Sequence, residues 1–193
     1  MSLSPNIRAG MASVSVAATL ILLKSYASWQ TGSAAVLGSL ADTVLDLIAS
    51  LVTLYSVRLA AMPADRQHRF GHGKAEAIAA FFQVVLISLS AFWIIVHSVQ
   101  QLAAGESPAN AMAGIWVSIV ALFLTLALVS YQRRVIARTG SVAIGTDAIH
   151  YQSDLLLNAA VITALLIEAR LGLAGADAVA GVAIGLWLLY GAY

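Results

Sequence analysis

The chain has 193 residues, 61% of them hydrophobic and only 10% charged, with a formal net charge of +1 and a mean hydropathy of +0.90. Soluble domains carry about 25% charged residues, so this balance belongs to an integral membrane protein, and no basic cluster able to track phosphates supports a nucleic-acid partner. The absence of cysteine excludes disulfides, thiolate metal sites and cysteine nucleophiles.

About 20 apolar residues span the hydrocarbon core of a bilayer. Six such runs are predicted, near residues 8–29, 33–60, 74–102, 112–135, 141–169 and 177–193. Pro5, Pro63 and Pro108 fall outside them, as unbroken helices require, and the period-2 alternation of a β-barrel is absent. The expected fold is an all-α membrane protein, with residues 1–193 forming one domain of six transmembrane helices. The opening residues lack the layout of a signal peptide with a cleavage site, and the apolar run behind them is long enough to stay as a spanning helix. With both termini in the cytoplasm, that side collects Arg8, Arg58, Arg66, Arg69, Lys74, Arg133, Arg134 and Arg138, against Arg170 and Lys24 outside. The positive-inside rule selects this orientation.

In the first run, Lys24 comes late enough to be read as snorkelling outward. The second run places Asp42 and Asp46 four residues apart, on one helical face, in the middle of an apolar segment. Each charge at mid-bilayer costs roughly 2.5–3.5 kcal/mol on insertion scales, so the pair calls for basic partners or a bound cation. Ser39 and Ser50 flank it as candidate supporting donors. The short loop that follows holds Asp65, His68 and His72, enough for three ligands of a zinc ion, although Arg66 and Arg69 interleave them. Lys74 and Glu76 open the third helix, where Glu76 suits the helix dipole. His97 reads as interfacial at the far end.

In the fifth run, Asp147 reads first as a helix N-terminal partner and second as a vestibule acid. Beyond it, His150 and Asp154 repeat the four-residue step, and Asn158 extends the polar stripe. No deep lysine or arginine is expected to neutralise the acids. Asp42, Asp46, His150 and Asp154 together make a four-ligand N/O set from two helices, of the kind a tetrahedral divalent cation accepts. One imidazole among carboxylates favours borderline ions such as zinc and cadmium, with iron(II) or manganese as alternatives. In the sixth run, Gly181 and Gly185 are spaced for close helix packing.

The motifs Asp42-Thr-Val-Leu-Asp46, Phe70-Gly-His-Gly-Lys-Ala-Glu76 and His150-Tyr-Gln-Ser-Asp154, in this order, resemble those of the cation diffusion facilitator family, specifically its bacterial zinc, cadmium and iron efflux branch. The resemblance covers essentially the whole chain. It implies a homodimer in the bacterial inner membrane that exchanges cytoplasmic divalent metal for protons by alternating access, zinc being transported substrate rather than catalytic cofactor. It places the transport site on Asp42, Asp46, His150 and Asp154, and a second zinc on the loop of Asp65, His68 and His72. It also implies a cytoplasmic metal-binding domain after the sixth helix, beyond the residues of this chain. No enzymatic activity is expected. An intramembrane aspartyl protease would draw its two acids from different helices, whereas Asp42 and Asp46 share one. A membrane metal sensor that binds without translocating is the remaining alternative.

Overall fold

The computed structural model describes residues 4–31, 34–66, 68–104, 111–171 and 176–192. They form six helices: α1 (Pro5–Thr31), α2 (Ala34–Ala60), α3 (Lys74–Ala104), α4 (Ala111–Thr139), α5 (Val142–Leu171) and α6 (Ala176–Ala192). No strand occurs among the described residues. Pro108, Gly181 and the side chains of His97, Trp116 and Arg170 lie outside the described residues.

Several helix ends run past the apolar stretches, because the hydropathy pattern marks the hydrocarbon and not the hydrogen-bonded helix. α1 begins at Pro5 rather than near residue 8. Ser4 caps it, its Oγ accepting from the Ile7 amide at 3.3 Å, and Pro5 takes the first helical position, where a missing N–H costs nothing. α4 continues through Arg133, Arg134 and Arg138 to Thr139, where Gly140 stops it at φ +65°, donating its amide to the Ile136 carbonyl at 2.8 Å.

Among the described residues, four helical stretches are long and apolar enough to cross a membrane: Pro5–Gln30, Asp42–Ala60, Lys74–Gln100 and Ser118–Thr139. The burial pattern is that of a multi-pass membrane protein. Outward faces carry Leu22, Trp29, Phe81, Leu89, Phe92, Trp93 and Phe123, all more than 60% exposed, while Ser13, Ser50, Thr53, Gln132 and Asp147 are fully enclosed. Such an inversion is costly in water and is expected where lipid replaces it.

The broadest packing joins α1 to α2 and α3 to α6, while α5 touches every other helix. At Gly10 an added Cβ would lie 3.1 Å from the Leu54 Cα, so the α1–α2 crossing is set by a residue without a side chain. Gly185 does the same for α6 against α3, where a Cβ would meet Ile95 Cγ1 at 2.5 Å. That names the partner of the small-residue face on the sixth helix. Ala9, Leu54, Val57, Ala79, Val135, Ala143 and Ile144 form a core drawn from α1 through α5. One further layer along, α2 and α5 bring their acids together.

Candidate metal centre

The four-residue step on α5 stacks His150 beneath Asp154, and α2 presents Asp46 to the same point. His150 Nε2 lies 2.9 Å from Asp46 Oδ1 and 4.0 Å from Asp154 Oδ2. One ligand atom from each of the three lies within 4.8 Å of the others. A zinc ion with bonds of about 2.0–2.1 Å needs tetrahedral ligand atoms about 3.3 Å apart, so changes of no more than about 1.5 Å in any ligand separation convert the observed spacing into a coordination shell. The side chains of Asp46, His150 and Asp154 are 16%, 10% and 30% exposed, and Asp46 and Asp154 line a cavity of about 160 Å³. Asp42 is not one of the close trio, but it lines that cavity with Asp46, Asp154 and Asn158. Asn158 turns its amide to the Asp154 carbonyl at 2.7 Å and so leaves its Oδ1 uncommitted by this bond.

Lys24 corrects the sequence reading. It does not point outward to the membrane surface but lines the same cavity as the acids. Its Nζ donates to Thr43 Oγ1 at 2.6 Å and to the Ser39 carbonyl at 3.1 Å. No carboxylate oxygen lies within 4.0 Å of it among the described residues. The signal was present in its position: Lys24 sits seven residues before the end of α1 at Thr31, about 10 Å of helix, which is a long reach for a snorkelling side chain. Ser50 also differs from expectation. Its Oγ pairs with the Tyr151 hydroxyl at 2.8 Å and steadies the residue after His150 instead of meeting an acid of α2.

Asp147 is neither a helix-end partner nor a vestibule acid. It lies beyond the first turn of α5, is fully buried, and accepts from Ser13 Oγ at 2.6 Å, Gln132 Nε2 at 2.7 Å and Gln83 Nε2 at 3.0 Å. Gln83 also donates to Thr53 Oγ1, so residues of five helices converge on one carboxylate. Glu76 likewise does more than face its own helix dipole, since its Oε2 accepts from Ser141 Oγ at the start of α5.

The loop between α2 and α3 brings Asp65, His68 and His72 into a second cluster whose ligand atoms all lie within 4.8 Å. Asp65 Oδ1 accepts from the His68 amide and lies 3.3 Å from His68 Nδ1, while Asp65 Oδ2 is 3.6 Å from His72 Nε2. The two imidazole rings lie with centroids 4.5 Å apart, tilted at 41° to one another. Gly71, at φ +78°, makes the reversal between the histidines and donates to the His68 carbonyl at 2.9 Å. Gly73 shows no such conformation. His72 is mostly enclosed whereas Asp65 and His68 are half-exposed, so the cluster opens to solvent on one side.

The described residues therefore offer two N/O ligand groups, one enclosed between helices and one in a partly exposed loop. A family model described as the cation efflux transmembrane domain matches residues 10–193. The cation-efflux pump FieF of Yersinia enterocolitica (serotype O:8 / biotype 1B) is 43% identical over 184 residues, covering 95% of this chain and 61% of that protein. The pumps of the same name from Cronobacter sakazakii and Klebsiella pneumoniae are each 43% identical over 185 residues, covering 96% of this chain and 61% of theirs. The chain thus spans about three-fifths of the length of these curated relatives. On the family model and these identities, the chain belongs to the cation efflux family and corresponds to its transmembrane domain.

Proposed function

We propose that the chain is the membrane-embedded part of a divalent-metal exporter that exchanges metal for protons across the bacterial inner membrane. Asp42, Asp46, His150 and Asp154 form its transport site, zinc is the preferred ion and cadmium a second. The observation that carries the reading is the contact of His150 Nε2 with Asp46 Oδ1 at 2.9 Å. A hydrogen bond between a ring nitrogen and a carboxylate holds one proton between the two atoms. Those two atoms are also ligands a dication needs. Metal and proton therefore compete for one place, and each expels the other.

Exposing that place alternately to the two sides of the membrane turns the competition into antiport. The six helices cross the bilayer with both termini inside, and rocking of the bundle about the fixed site suffices. An inward proton gradient then drives metal out. The single imidazole among carboxylates selects borderline ions, and iron(II) or manganese is the alternative cargo of the same donor set. Asp65, His68 and His72 bind a second ion at the water interface, and two copies of the chain associate as a homodimer.

The deciding experiment is flux in sealed vesicles containing the purified protein and an internal pH dye. Added zinc should drive proton counterflow in the wild type, and Asp46→Ala or His150→Ala should abolish it. Normal counterflow in either variant rejects the assignment. Zinc binding with no counterflow in the wild type would identify a sensor instead.

A further inference from the structure

Among the described residues, Lys24 is the one lysine or arginine lining the cavity that Asp42, Asp46 and Asp154 share. It is held there by a closed set of hydrogen bonds. The Thr43 hydroxyl donates to the Ser39 carbonyl at 3.0 Å, which leaves only a lone pair on Thr43 Oγ1 to receive Lys24 Nζ at 2.6 Å. Nζ donates to the same Ser39 carbonyl at 3.1 Å. Both acceptors belong to α2, within three residues of Asp42 on either side. The amine is therefore fixed at the level of the acids without ion-pairing to any of them, and an arriving cation does not have to displace it.

The charges in the cavity then form a closed set. Asp42, Asp46 and Asp154 contribute three negative charges when all are ionised, and an imidazole that ligates through a ring nitrogen contributes none. A dication balances two. In a partly enclosed site the third would bind the ion so strongly that release becomes slow, since electrostatic interactions there are several-fold larger than in water. We propose that Lys24 is the built-in counter-ion of the transport site, a tethered monovalent cation that balances the third carboxylate and sets the metal affinity low enough for release. It is a positioning and specificity-determining residue, not a ligand. With Lys24 in place a divalent ion makes the cavity neutral, whereas a monovalent or trivalent ion does not. The inference rests on the metal reading of the site given above.

The test is zinc calorimetry on the 193-residue protein in lipid nanodiscs, in a background where Asp65→Ala, His68→Ala and His72→Ala silence the loop. Lys24→Met should lower the zinc Kd by about tenfold or more, the scale expected when a nearby unit charge is removed from a partly enclosed site. In vesicles it should lower KM and kcat together, because tighter binding slows release. Lys24→Arg should stay near the wild type. Since the chain contains no cysteine, Lys24→Cys offers a stricter comparison inside one folded protein. The aminoethylthio adduct restores an ammonium and should return the wild-type Kd, while the neutral methylthio adduct should keep the tight one. Equal Kd values for the two adducts, or a wild-type or weaker Kd for Lys24→Met, overturn the proposal while leaving the metal site standing. A folded wild type that binds no zinc removes the metal reading itself, and this inference with it.

Discussion

Replacing Asp147 with alanine removes an acceptor that three side chains address, and the structure allows the loss to be counted group by group. Ser13 has a fallback, because its Oγ also lies 3.2 Å from the Ala9 carbonyl. Gln83 keeps one N–H on Thr53 Oγ1, and Gln132 keeps one on Ser13 Oγ at 3.0 Å. One N–H on each amide is left buried without a partner, at about 1–3 kcal/mol apiece. Relief of an enclosed carboxylate offsets part of this, so a net destabilisation of about 3 kcal/mol is expected, or roughly 6–12 °C in Tm for a chain of this size. Asp147→Asn should behave differently. The Oε1 atoms of Gln83 and Gln132 are both buried and unpartnered. A 180° flip of either amide offers that oxygen to the new Asn N–H, and the two faces of an amide are near-isosteric. The asparagine variant should therefore lose less than half as much as the alanine variant. Thermal unfolding in detergent, followed by far-ultraviolet circular dichroism, reads both. An alanine variant within 2 °C of the wild type, or an asparagine variant as unstable as alanine, would refute the reasoning.

Zinc affinity should rise with pH, because the ion takes atoms that a proton otherwise occupies; apparent Kd should fall about tenfold per pH unit for each proton displaced, and calorimetry in buffers of different ionisation enthalpy should count those protons. A pH-independent Kd contradicts the shared-place argument. His150→Ala should weaken zinc binding roughly 100-fold, since it removes the one imidazole of the site, whose described polar contacts are to Asp46 and Asp154. Gly185→Val should destabilise by about 1–3 kcal/mol by driving α6 off Ile95, and Ile95→Ala should restore part of the loss, both read as Tm. Gly71→Ala imposes a side chain on a left-handed residue at φ +78° and should cost about 1–2 kcal/mol locally, seen as weaker zinc binding by a protein that retains only the loop ligands.

The central trio was legible because helical periodicity converts a four-residue step into a shared face without any knowledge of tertiary structure. Asp46 and the His150–Asp154 pair needed only that rule and the cost of charge in lipid. The same rule grouped Asp42 with Asp46, yet the structure puts Asp42 on the cavity wall and leaves it out of the close trio. Tilt of α2 against α5 decides which turn of the stripe reaches across, and nothing local encodes that tilt. The partners of Asp147 were not legible either, since Ser13, Gln83 and Gln132 come from three other helices and each alone reads as an ordinary polar residue. Lys24 was misread for a different reason. Its depth along α1 argued against snorkelling, but only the α1–α2 crossing at Gly10 shows which acceptors it meets. Helix ends such as Thr139 were placed short because arginine ends the apolar run before Gly140 ends the helix.

Zinc K-edge absorption on protein loaded with one equivalent of zinc, with the loop ligands Asp65, His68 and His72 replaced by alanine, addresses the enclosed site alone. The expected spectrum has about four nitrogen and oxygen neighbours near 2.0 Å with the outer-shell scattering of a single imidazole, and loses that imidazole signal in His150→Ala. A six-coordinate aqua-like spectrum, or one that His150→Ala leaves unchanged, would contradict it.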